Sequence, residues 1–215
     1  KQDILKPLKT FIMKKFFVPL LAIAAVSAMA FTHYAIEPLA IGSSLPEANT
    51  KLTDVSGKEV TLAGSKKKNG LLVIFSCNTC PYVIKNQERN NEMCAYAEKN
   101  NIGVVIVNSN EAQRDDADSY DAMKKYAADQ GYKWNYAVDK NSTLADAFGA
   151  TRTPEIFLFN KDSKLVYHGA FDDSPSSPKD VSRKHLQVAI DEAVAGKEVS
   201  VKTSKSVGCG IKRVK

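Results

Sequence analysis

Continuous apolar runs alternate with amphipathic stretches along this chain. The run GLLVIFS at residues 70–76 has no polar break until its end, the mark of a strand covered on both faces. IGVVIVNSN at 102–110 predicts a second central strand of the same kind. Between them, Pro81 suits the first turn of a helix, where its missing N–H would be unpaired in any case. That helix is expected to continue to about Lys99. Tyr120, Met123 and Ala127 repeat at helical spacing ahead of Gly131, which supplies a stop. KWNYAVD (133–139) then predicts a short strand, and STLADAFG (142–149) a short helix ended by Gly149.

The flanks of this alternation read as hairpins. KLTDVSGKEVTL (51–62) alternates in polarity and turns at Ser56-Gly57. ATRTPEIFLFN (150–160) and KDSKLVYHG (161–169) form the two arms of a closing hairpin. A helix follows in KDVSRKHLQVAIDEAVAG (179–196), with Leu186, Ala189, Ile190, Ala193 and Val194 on one stripe. Strands alternating with helices imply an α/β fold whose central mixed sheet is flanked by helices on both faces. The composition, 44% hydrophobic and 25% charged over 215 residues, supports a sizeable core and excludes a disordered or fibrous chain.

The first forty residues differ from the rest. MKKFFVPLLAIAAVSAMA (13–30) has a short basic start, an apolar stretch and an A-x-A end at 28–30, so it reads as a signal peptide cleaved after Ala30. Left uncleaved, a run of this length would serve as a membrane anchor. Residues 1–12 fit no export pattern and read as an upstream extension, and 31–47, with Pro38 and Pro46, as a loop-like linker. The main domain is expected at 48–196 and a tail carrying Cys209 at 197–215. Export would place the protein in a periplasm or outside the cell, where cysteines can pair.

The leader also changes the reading of charge. The formal net charge is +6, but residues 1–30 hold five lysines against Asp3, and without them the balance is +2. No nucleic-acid partner is implied. SKKKNG (65–70), the one dense basic run, falls between two predicted strands and reads as a solvated loop.

Four cysteines are too few for a disulfide scaffold: Cys77, Cys80, Cys94 and Cys209. Cys77 and Cys80 stand three positions apart where a buried strand feeds a helix. A cysteine attacks as its thiolate, and unpaired N–H groups at a helix start stabilise that charge. On this reading Cys77 caps the helix and is the acidic nucleophile, and Cys80, one turn in, resolves the mixed disulfide. A zinc site would want a second C-x-x-C or a histidine pair, whereas His33, His168 and His185 stand apart. No metal and no organic cofactor are expected.

The strand–CxxC–helix unit, the later Thr153-Pro154 ahead of an apolar strand, and the final hairpin plus helix resemble the thioredoxin-like superfamily. The N-terminal hairpin extension and the stretch FGATRTPEIFLFNKDSKLVYHGAFDD are similar to its redoxin branch, which includes alkyl hydroperoxide reductase and thiol-specific antioxidant proteins. The likeness covers about residues 40 to 196. It implies that Pro154 is a cis-proline facing the cysteines, that Thr153 beside it can pair with an extended substrate peptide, and that Arg152 can lend positive charge. It also implies exchange with protein thiols and disulfides, electrons coming from a membrane or soluble thiol donor. The chain departs from common members at Ser76, where a tryptophan is frequent, at Asn78-Thr79, where Gly-Pro is, and at Leu71, where a buried acid is. Proton transfer would then fall to water, Asn108 or Glu111.

Other readings stay open. A thiol-dependent peroxidase would use P-x-x-x-[T/S]-x-x-C, which fits neither cysteine: the frames put Val73 or Gly70 at the proline. A Cu(I) carrier would hold its ion between the two thiolates, with His168 the one candidate helper. Cys94 shares an apolar helix face with Val83, Ile84 and Ala97 and reads as a core residue. Cys209 lies between Gly208 and Gly210 on a polar tail and is not expected within a strand or helix. It is either a third redox thiol folded back on Cys77-Cys80, or a surface thiol or partner of Cys94 that pins the tail.

Overall fold

The structure, a computed structural model, describes residues 36–214. The leader and upstream extension expected at 1–30 lie outside the described residues. The chain runs β1 (Leu52–Asp54), β2 (Glu59–Val60), α1 (Leu62–Ser65), β3 (Gly70–Ser76), α2 (Pro81–Lys85), α3 (Gln87–Lys99) and β4 (Ile102–Asn108). It continues through α4 (Tyr120–Asp129), β5 (Asn135–Val138), α5 (Thr143–Phe148), β6 (Arg152–Thr153), β7 (Glu155–Asn160) and β8 (Leu165–Gly169). It closes with α6 (His185–Val194) and β9 (Cys209–Gly210).

Seven strands form one mixed sheet in the order β2-β1-β5-β4-β3-β7-β8. β3, β4 and β5 are parallel, and β1, β2, β7 and β8 extend the sheet by antiparallel pairing. The period of two in a strand explains why β3 and β4 are apolar throughout. Leu72, Ile74, Val104 and Ile106 face α3, α4 and α6 through Met93, Met123, Leu186 and Ile190. Leu71, Val73, Phe75, Val105 and Val107 face α1 and α5 through Leu62, Leu144 and Phe148. Phe75, Phe148 and Phe157 meet edge to face with centroids 5.2 to 5.6 Å apart. Burying each such ring contributes about 1.5–3 kcal/mol. This is the thioredoxin-like architecture, with the β1–β2 hairpin added at its N-terminal side.

Three features differ from the sequence reading. The expected helix from Pro81 to Lys99 breaks at Asn86, which leaves helical geometry at φ −97° and ψ 5°. Its amide donates to the carbonyls of Tyr82 (2.7 Å) and Pro175 (3.0 Å), so it closes α2 and ties it to the loop ahead of α6. Residues 36–47 contain no regular element, yet Leu39, Ile41 and Leu45 pack on the α5 side of the sheet. The tail forms β9, antiparallel to β6, in a second small sheet. Among the described residues no helix is long and apolar enough to cross a membrane.

Candidate active site

β3 delivers its chain to a short loop holding Cys77, Asn78 and Thr79, and Cys80 is the N-cap of α2. Pro81 follows, and the Cys80 carbonyl accepts the first helical bond from Ile84 N–H at 3.0 Å. The expectation that Cys77 caps the helix is therefore corrected: the helix begins one residue after Cys80. Both sulfurs are withdrawn from solvent, Cys77 at 2% exposure and Cys80 at 3%.

Thr153 touches both. Its hydroxyl lies 3.3 Å from Cys77 Sγ, and its carbonyl oxygen lies 3.1 Å from Cys80 Sγ. The Thr153–Pro154 peptide bond is cis, and both residues are buried. The loop is held from beneath by Glu155, whose Oε2 accepts the N–H groups of Thr151 (2.7 Å) and Arg152 (3.0 Å). Its other oxygen meets His168 Nε2 at 2.8 Å. His168 is thereby turned to Glu155 rather than to the thiols. The Arg152 side chain is exposed and has no hydrogen-bond or ion-pair partner among the described residues; its backbone pairs with Gly210.

A buried polar network fixes the loop between the cysteines. Asp118 accepts from the N–H of Asn78 (2.8 Å), from Asn108 Nδ2 (2.7 Å) and from Asn110 Nδ2 (2.9 Å). The Asn78 amide in turn donates to the Ala117 carbonyl and accepts from the Tyr136 hydroxyl at 2.8 Å. Asn108, expected as a proton-transfer candidate, belongs to this network. Glu111 touches it only through Arg114, with which it pairs at 3.2 Å and which donates to the Asn108 and Asp118 carbonyls. The sequence reading missed Asp118 and Glu155. Asp118 stands in a polar loop of aspartates with nothing to single it out, whereas Glu155 is an acid at the head of the apolar run IFLF, a signal that could have been used.

The tail completes the site. Thr153 pairs with Cys209 and Arg152 with Gly210, so Cys209 lies in a strand, contrary to the expectation for a mobile tail. Cys209 is half-buried and packs against Cys77, Cys80 and Val83. Cys94 is fully buried in the α3 side of the core, in a different apolar cluster.

These contacts set the acidity of the pair. Cys80 is lowered to about 4, first because the Cys77 thiol donates to it, then, against its burial, by the Cys209 thiol and the N–H groups of Val83 and Cys209. The Thr153 carbonyl favours the protonated thiol instead, but one acceptor stands against four donors, and the thiolate prevails. Cys77 is pushed far up by giving its hydrogen bond to Cys80, by burial, and by the nearby Asp118 charge, against the Thr153 hydroxyl. The reduced pair thus shares one proton between its two sulfurs. Cys94 is raised by burial. Two thiols in contact, one ionised, beside a backbone edge can form and open a disulfide.

The chain belongs to the Redoxin family, whose model matches residues 40–184. It is similar to the thiol-disulfide oxidoreductase ResA of Bacillus thuringiensis (strain Al Hakam), at 30% identity over 131 residues, 60% of this chain and 69% of that protein. Among solved structures it resembles a hypothetical protein of Sinorhizobium meliloti 1021 at 34% identity and a TM-score of 0.75, over 83% of this chain and 97% of the other. An uncharacterized conserved protein of Geobacillus kaustophilus matches at 32% identity and a TM-score of 0.75, over 81% and 93%. Cys209 lies beyond the region the family model matches.

Proposed function

We propose that this protein is an exported thiol–disulfide oxidoreductase that exchanges two electrons with partner proteins through Cys77 and Cys80. The observation that carries the reading is the joint contact of both sulfurs with Thr153, at 3.3 and 3.1 Å, on the loop before Pro154. The likeness to ResA supports the same chemistry, and the leader at 13–30 supports export.

The reduced pair shares one proton, so near neutral pH one of its sulfurs is a thiolate and opens the exchange. The other cysteine then closes the ring, expels the partner sulfur still attached and gives its proton to it. Electrons enter and leave as partner thiols, from a membrane or soluble donor, and no metal or organic cofactor takes part. The test is catalysed reduction of an insulin-type disulfide: Cys80→Ser abolishes turnover, and full turnover in that variant contradicts the reading.

A further inference from the structure

The cysteine pair has almost no contact with solvent, and what covers it is the chain's own tail. Residues 208–210 lie along the edge of β6, where an extended partner peptide would pair. Gly208 allows the approach, since a Cβ there would stand 2.0 Å from the Thr153 carbonyl oxygen. A cover that must lift for every partner should be weakly held. This one is fastened on both sides. Upstream, Ser204 N–H donates to His168 O at 3.0 Å, and Ser204 Oγ accepts from Ala170 N–H at 2.9 Å. Downstream, Ile211 is buried and its N–H reaches Thr151 O at 3.0 Å. Lys212 N–H meets Asn110 Oδ1 at 2.9 Å, and Arg213 binds Asp146 and the Ala150 carbonyl, each at 2.7 Å. The strap stays in place, and it carries a half-buried thiol packed against Cys80.

We propose that Cys209 is a third exchange thiol, through which the Cys77–Cys80 pair trades its disulfide with partner proteins at the surface. This rests on the function proposed above. In the oxidising direction the Cys209 thiolate attacks Cys80 Sγ of the Cys77–Cys80 disulfide. The Cys80–Cys209 bond forms, the Cys77–Cys80 bond breaks, and its electron pair leaves on Cys77, which takes a proton. A thiolate of a partner dithiol then attacks Cys209 Sγ, and the pair leaves on Cys80. The partner's second thiol closes the partner disulfide and releases Cys209, which is reprotonated. The partner loses two electrons and two protons, and the protein ends with all three cysteines reduced. Reduction of a partner disulfide is the same sequence reversed. Cys80, in contact with Cys77 on one side and Cys209 on the other, is the shared sulfur of both bridges.

The test is a disulfide map of the full-length protein after oxidation with oxidised glutathione. In Cys77→Ser it should show an intramolecular Cys80–Cys209 bridge with Cys94 a free thiol, and wild type quenched early should show the same bridge beside Cys77–Cys80. Cys209→Ser should still form Cys77–Cys80 but turn over protein disulfides about ten-fold more slowly, because the pair is then out of reach. Free Cys80 and Cys209 thiols after oxidation of Cys77→Ser, or unchanged or faster turnover in Cys209→Ser, would overturn the inference and leave the tail a cover. If wild type exchanges no disulfide with any protein, the proposed function fails instead, and the map still reports on the Cys80–Cys209 contact.

Discussion

Thr153 and Cys209 stand opposite one another as an antiparallel pair. One residue therefore offers its hydroxyl to Cys77, its carbonyl to Cys80 and its backbone edge to the tail. The acidity of the cysteines, the shielding of the site and the placement of the third thiol all depend on this loop.

The first consequence concerns pH. The folded Cys80 value of about 4 lies below the unfolded thiol value of about 8.5. Its contribution to the stability of the reduced protein is thus present in full above about 8.5 and lost progressively as pH falls towards about 4. The oxidised protein has no such thiol. Cys77, pushed up, acts only above the ordinary thiol range. Between about pH 4 and 8 the melting temperature of the reduced form should therefore rise relative to the oxidised form as pH rises, and thiolate absorbance should persist until about pH 4. A Cys80→Ser variant should lose both effects. Thiolate absorbance that vanishes below about pH 8 would contradict the assignment.

Gly208→Ala should loosen the tail without touching a cysteine. The added Cβ would meet the Thr153 carbonyl oxygen at 2.0 Å and its carbon at 2.7 Å, both backbone atoms that cannot swing away. The expected cost is about 1–3 kcal/mol. Alkylation of Cys209 should become faster at the same time. Unchanged melting and unchanged labelling would show that β9 does not lie against Thr153.

Glu155→Ala removes the acceptor of two backbone N–H groups and the partner of His168. Hydrogen bonds to a charged group contribute about 1.5–3 kcal/mol each, so a loss of at least about 2 kcal/mol is expected, with slower exchange because the Thr153 loop loses its support. Glu155→Gln, which can still accept and donate, should recover much of both. Wild-type stability in Glu155→Ala would sink this role.

How far the sequence could be read follows from distance along the chain. The β3 strand, Cys77, Cys80 and the helix start are local, and an apolar run followed by Pro81 announces them. The two apolar faces of β3 and β4 were readable for the same reason. What sets the chemistry is not local. Asp118 meets Asn78 across 40 positions of sequence, and no pattern in a loop of aspartates singles it out. The two-residue strand β9 has no periodicity at all; the glycines flanking Cys209 suggested turns and instead permit a close backbone approach. Which cysteine caps the helix depended on three residues of register, less than one helical turn, which propensity does not resolve.

Metal content separates exchange from carriage. His168 faces Glu155, and among the described residues no group of three or more His, Cys, Asp or Glu side chains is placed to hold a metal ion. Protein purified without chelator should contain far less than one equivalent of zinc or copper. Stoichiometric Cu(I) held through Cys77 and Cys80, with no exchange activity, would favour the carrier.

The most direct measurement is the redox equilibrium of the purified protein against defined thiol–disulfide buffers, followed by peptide mapping of each state. The expected result is a single two-electron transition between about −270 and −120 mV, the span of thioredoxin-like oxidoreductases. Cys77 and Cys80 should be bridged in the oxidised state, and Cys94 should remain a free thiol throughout. A Cys77–Cys80 pair that stays reduced across that range, or stays bridged at its reducing end, would contradict it.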